Sequence, residues 1–373
     1  MSSFSSLMSL EVYQEPVIQD TITEIKRSTI SLQELVQQAE KHIAEFALVE
    51  EHVFSFKEAK ANLDKLLSSM LFYADEAGGE KSTRYVSAAV IACATVEEGK
   101  GWAERLRDLG ITWLTHLLYV FKRNKSYITP HADDRSFKND ILLREGYECP
   151  VTGANDDRHP STKDNTTGLQ GVHILPRSIA DFDSDPHSLS FKSAAATFDI
   201  LVNFTRLPVT NLDDLKSFID QPSNRILLQV DARYGFENLG WCLKKTDNED
   251  EYKVKPIHTR NGLLMRHDMD ALVVFRDKSN DFRQVSTSDG PRPPPIPTPD
   301  PLLISLHGAI ALIMFTSGVG KFLDEILGQY CVTYESASSA RWTDLEEAIA
   351  TSELKEILIS SFQQAHLTQP SGQ

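Results

Sequence analysis

Two stretches of this chain carry residue types that can move a proton beside a phosphate. The first runs from Phe137 to Pro176 and contains FKNDILLREGYECPVTG, an acidic and polar loop, and LQGVHILP; the second is PSNRILLQVDARYGFENLGWCL, Pro222 to Leu243. Cleaving a phosphodiester with one divalent metal needs few groups. A neutral imidazole takes a proton from water, oxygen or nitrogen ligands hold the metal against the phosphate, and a further group fixes the imidazole's orientation. His173 lies between the β-branched or apolar neighbours Val172 and Ile174, and Asn224 heads an apolar strand. Their types and order suggest a one-metal nucleic-acid-cleaving site.

These residues need a rigid frame. VHIL and ILLQV read as short strands among Gly, Pro, Asn and Asp clusters, which punctuate strands and turns. Between them, SLSFKSAAATFDILVNFTRL and NLDDLKSFID read as two helices, an insertion between the two halves of the motif. Upstream, Leu32, Leu35, Val36, Ala39, Ile43, Phe46 and Ala47 recur at helical spacing after a Ser31 N-cap, as do Ala59, Leu63, Leu66, Leu67, Met70 and Leu71. Tyr85–Val96 is a further apolar run, and Leu106, Leu109, Trp113, Leu117 and Val120 share one helical face. Gly290 to Pro301, GPRPPPIPTPDP, predicts an extended polyproline connector at a domain edge. Beyond it, Leu302–Leu327 and Trp342–Phe362 read as two helices.

The order and spacing of FKNDILLREGYECPVTG, VHILPRS and SNRILLQVDARYGFENLGWCL followed by DEYKV resemble the HNH endonucleases, in particular fungal proteins with an embedded HNH domain. The likeness covers roughly Phe137 to Val254, and HGAIALIMFTSGVGKFLDEIL resembles their helical tail. It implies an α+β protein in which a small ββα-metal core is embedded in mostly helical surroundings. The units expected are a helical region at 1–125, the HNH-like domain with its helical insertion at 126–289, the proline-rich linker at 290–301 and a helical region at 302–373. It also implies hydrolysis of nucleic acid, DNA before RNA, with Mg²⁺, Mn²⁺ or Zn²⁺ as cofactor. His173 then matches the general base and Asn224 the residue that braces the turn.

One position departs from the pattern. Where the family reads N-G-L-L-L-x-x-D-x-H, this chain ends in Arg233. A guanidinium stays protonated and has no lone pair for a metal. Asp231 is a hard oxygen donor that can replace the lost ligand if the segment is extended, and Asp270 in NGLLMRHDMDALVVF is another candidate, beside Asn261, His267 and Asp268. With neither in place, Arg233 contacts phosphate or pairs with Glu237. The scaffold then serves as a catalytically silent module binding protein or nucleic acid. If the pattern is accidental, His173 and Asn224 lie far apart.

Composition bounds the partners. Lys plus Arg is 38 against 53 Asp plus Glu, a net charge of −15, so phosphate contact must be local. Arg135, Lys138 and Arg144, with Lys122, Arg123 and Lys125, are the candidates for a basic face. Cys149 is expected to pack under its turn, and Asp156, Asp157 and His159 form a loop able to collect a cation. Four scattered cysteines without a CxxC pair fit a reducing, intracellular setting, and no apolar run predicts a membrane span.

Overall fold

The computed structural model describes residues 6–122, 134–161, 166–257, 272–282, 294–330 and 341–350. Six helices begin the chain: α1 (Ser6–Tyr13), α2 (Pro16–Arg27), α3 (Leu32–Phe46), α4 (Leu63–Gly78), α5 (Glu80–Thr95) and α6 (Trp102–Trp113). Ser31 caps α3, its side chain accepting the Glu34 N–H at 3.2 Å. α5 is apolar or small from Tyr85 onward, and it packs against α2, α3, α4 and α6.

Between α3 and α4 the chain differs from its helical reading. β1 (Val53–Phe56) and β2 (Ala59–Asn62) form an antiparallel hairpin. Phe54, Phe56, Ala59 and Ala61 turn inward while Ser55 and Lys60 face out, the period-two pattern of a strand. Helical spacing holds only from Leu63 onward. After α6 a π-helical turn, Leu114–Leu118, leads into α7 (Tyr119–Lys122).

The second half mixes helices and strands. α8 (Asp134–Glu145) leads to the Cys149 turn, the short parallel pair β3 (Asn155–Asp156) and β4 (Thr166–Thr167), and β5 (Gln170–His173). The two expected insertion helices are α9 (Leu189–Phe204), capped by Ser188, and α10 (Leu212–Ile219), capped by Asn211. β6 (Arg225–Leu228) then returns antiparallel to β5, with His173 opposite Arg225 and Gln170 opposite Leu228. α11 (Val230–Glu237) follows at once, and β7 (Trp241–Lys245), β8 (Glu251–Pro256) and β9 (Leu272–Val274) make an antiparallel meander. α11 lies tight against β7: a Cβ on Gly235 would come within 2.7 Å of Trp241, whose indole donates to the Ala232 carbonyl at 3.0 Å.

α12 (Ser279–Phe282) is a single turn; the proline-rich stretch from Pro294 to Asp300 carries neither helix nor strand, and α13 (Pro301–Ser317) and α14 (Val319–Tyr330) follow. Asp300 caps α13 by accepting the Leu302 N–H at 2.8 Å, with Pro301 in the first turn. The single helix expected over Leu302–Leu327 is two helices bent by 87°, broken where Gly318 takes φ 80°. α13 is buried along most of its length between α4 and β7. Residues 342–350 are helical, and the remainder of the expected Trp342–Phe362 helix lies outside the described residues.

The chain is thus α+β, with one hydrophobic cluster that runs from Leu10 to Ile349 through Val172 on β5 and Ile226 and Leu228 on β6. Among the described residues no single helix is long and apolar enough to cross a membrane.

Candidate functional site

β5 and β6 pair as the two arms of a long hairpin whose connection is the α9–α10 insertion, and with α11 they bring the motif residues together. His173 and Arg225 face each other across the strands, and the Ile174 N–H donates to the Asn224 carbonyl at 2.9 Å. The accidental-pattern alternative needed His173 and Asn224 to lie apart, and they do not.

Asn224 is fully buried and all its polar atoms are engaged. Its side-chain oxygen accepts the Leu175 N–H at 2.7 Å, and its amide donates to the Leu175 carbonyl at 3.0 Å and the Ile219 carbonyl at 2.8 Å. One side chain therefore ties the turn after His173 to the end of α10. Asn224→Ala strands three buried backbone groups, so it is expected to lower unfolding free energy by about 3 kcal/mol. A shift of the urea midpoint at unchanged slope is the check.

His173 is nearly buried, its side chain 11% exposed. Burial, helped by the Arg225 and Arg177 charges, lowers its pKa against the opposing pull of Asp220, so the ring is neutral at neutral pH. Its Nε2 lies 3.9 Å from Asp220 Oδ1, and Arg225 Nη2 lies 3.8 Å from the same oxygen. Both are longer than hydrogen bonds. His173, Arg225 and Arg177 together hold the Asp220 carboxyl below its usual range. Sequence reasoning missed Asp220 because no local pattern marks it: α10 brings it to the hairpin from the insertion.

Asp231 and Arg233 part company. Asp231 could take the place of a ligand at 233 only if the segment were extended; it is instead the start of α11, and two residues along a helix is about 200° of turn. Asp231 is exposed in the first turn, where a carboxylate complements the helix N-terminus. Arg233 turns inward, donating to buried Glu237 at 3.0 Å and to the Gln170 side-chain oxygen. Asp270, with Asn261, His267 and Asp268, lies outside the described residues.

A divalent ion does not fit the groups on view. Among the described residues no three His, Cys, Asp or Glu side chains gather to hold one. Beside His173 and Asp220 stand two guanidiniums, which repel a cation. Cys149 is buried with its Sγ 3.5 Å from the Gln229 N–H, under the start of α11. In the acidic loop, burial pushes the Asp156 carboxyl up, but donors from Arg158 and Leu169 outweigh it and leave the pKa low. That carboxylate braces the loop rather than gathering a cation.

The basic face is partly spent inside the protein. Arg144 is fully buried, and Lys122 is paired with Asp324 at 2.8 Å. Arg123 and Lys125, and the side chains of Arg135 and Lys138, lie outside what the structure describes.

The fold and site define an α+β protein with a braced β-strand pair, a following helix and the nearly buried imidazole of His173 on the strand pair. No protein-family model, curated protein or solved structure matches the chain.

Proposed function

We propose that residues 137–254 are a ββα scaffold of the HNH-endonuclease kind that has given up metal-dependent hydrolysis and serves as an interaction module. The observation that carries this reading is Arg233. Where the family pattern asks for a metal-binding imidazole, a guanidinium is held by Glu237 and Gln170 and joins α11 to β5. A protein partner suits the module better than nucleic acid, because the net charge is −15 and both Arg144 and Lys122 are occupied internally.

Nicking of supercoiled DNA with Mg²⁺ or Mn²⁺, with and without chelator, tests the reading. Equal background nicking by the wild type and His173→Ala is expected, with no saturable metal binding by calorimetry.

A second reading has one observation in its favour, the buried neutral imidazole of His173, which is the state a general base requires. On that reading the protein is a metal-dependent DNA endonuclease, with Asp231 or, in its place, Asp270 as the candidate metal ligand. Chelator-sensitive nicking lost in His173→Ala, together with metal affinity weakened by Asp231→Ala, would establish it and overturn the first reading.

A further inference from the structure

We propose that Asp220 is the positioning residue of His173: the carboxylate brought by α10 holds the imidazole proton on Nε2 and leaves Nδ1 as the basic nitrogen. This goes beyond the proposed function, since it concerns the proton state of the site whether or not a phosphodiester is cut.

The argument starts from the hairpin register. His173 and Arg225 are directly opposed, so their side chains leave the same face of the strand pair. Asp220, at the C-terminal end of α10, reaches in between them, with one oxygen 3.9 Å from His173 Nε2 and 3.8 Å from Arg225 Nη2. Both His173 Nε2 and Asp220 Oδ1 are buried and make no hydrogen bond. Buried polar atoms are costly to leave unpaired, and these two face each other across a gap that a shift of about 1 Å would close.

Charge decides which tautomer closes it. Arg225 and Arg177 favour an ionised Asp220, and with burial they disfavour an imidazolium at His173. A neutral imidazole carries a single N–H. With the proton on Nε2, it donates to the carboxylate and both orphaned atoms are satisfied. With the proton on Nδ1, a nitrogen lone pair would face a carboxylate oxygen and neither would be.

Imidazole ¹⁵N spectroscopy reads the tautomer directly. The chain has 11 histidines, so loss of one signal set in His173→Gln assigns the resonance. The wild type should show protonated Nε2 and pyridine-like Nδ1. Asp220→Ala should shift the Nδ1 and Nε2 resonances toward a mixture and lower the His173 titration midpoint, because a neighbour that favours the imidazolium is gone. Asp220→Glu should restore both readouts. An Nδ1–H tautomer in the wild type, or an unchanged tautomer and midpoint in Asp220→Ala, would overturn the assignment. If Asp220→Ala perturbs amide resonances beyond the hairpin and α10, near-isosteric Asp220→Asn takes its place for the titration midpoint, which should fall in the same way because the carboxylate charge is lost, while its amide oxygen still accepts from Nε2 and leaves the tautomer in place. Because the readout is spectroscopic, a failed nicking assay and a failed tautomer assignment remain distinguishable.

Discussion

Arg144→Ala should cost about 4 kcal/mol of unfolding free energy, more than any other single substitution around the hairpin. The side chain is fully buried and uses three of its nitrogens. It donates to the carbonyls of Pro222 and Pro297 at 2.8 Å and of Arg225 at 2.7 Å, and to the Glu145 carboxylate at 2.8 Å. The Pro222 and Arg225 carbonyls lie on either side of Asn224, so Arg144 supports from below the turn that Asn224 braces from within. Pro297 belongs to the proline-rich segment, which is further tied by the Asp300 N–H to Ser223 at 2.8 Å and the Ile296 N–H to Asp277 at 2.9 Å. Removing the guanidinium therefore loosens α8, the 222–225 turn and that segment together.

A buried carboxylate is left behind in that variant. Burial already raises the Glu145 pKa while Arg144 opposes the rise. Without Arg144 the acid should be taken up neutral, which gives a second measurement: the variant's deficit should shrink as pH falls and Glu145 protonates in the folded state. Pairing Arg144→Ala with Glu145→Gln should recover part of the loss at neutral pH, since no charge is then stranded. Urea melts of the two single variants and the double variant at pH 7 give the cycle. A loss below about 1 kcal/mol for Arg144→Ala would mean that water takes over its bonds and the junction is not a buried one.

Arg144 also marks where sequence reading ends. An arginine on an amphipathic helix next to Lys138 reads as a solvated cation available to phosphate, and its burial is decided by carbonyls from parts of the chain remote in sequence. Local signals did better. Ser31 and the Leu35, Ala39, Ile43 spacing locate α3, and the insertion helices α9 and α10 follow from period and caps. β5 and β6 are legible because apolar runs of that length sit between turn residues. β1 and β2 are not, because Ala59 continues the spacing of Leu63 and Leu66, and only the Phe54, Phe56 alternation hints at a hairpin.

The site divides in the same way. Asn224 is marked by its place before an apolar strand, and its three bonds are all to backbone near His173 or the end of α10. Asp231 and Arg233 turn on whether Val230 continues the strand or starts a helix, a choice that short mixed segments leave open until tertiary contacts settle it. Here Gly235 against Trp241 and Arg233 against Gln170 favour the helix. Asp220 could not be found at all from one sequence, since its partners are fixed by how the insertion folds back.

Acid should destabilise the protein through histidines outside the hairpin, and His307 isolates the effect. Burial pushes both His116 and His307 down to about 4. His307 stacks on Phe236, ring centroids 3.7 Å apart and 5° from parallel, with Nε2 3.2 Å from the Phe236 carbonyl, which joins α13 to α11. His116 sits in the π-helical turn with Nδ1 3.0 Å from Ser193 Oγ, and the nearby Arg341 guanidinium adds to the cost of charging it. A folded pKa below the unfolded value of 6.5 means that the unfolded chain binds the proton more readily. Each imidazole's contribution is therefore complete above pH 6.5 and is lost as pH falls toward 4, by about 3 kcal/mol apiece. Glu145, Asp199, Asp344 and Glu346 act in the opposite sense, because burial raises their pKa values and the folded state takes up their protons first. The wild-type slope alone is thus a sum of opposing parts. His307→Phe keeps a ring against Phe236 and removes the titrating group, so the difference in unfolding free energy between wild type and variant should move in the variant's favour by about 3 kcal/mol from pH 7.5 to 4. Parallel stability profiles for the two proteins would show that His307 is accessible to protons in the folded state at no cost, contrary to its burial beneath α13.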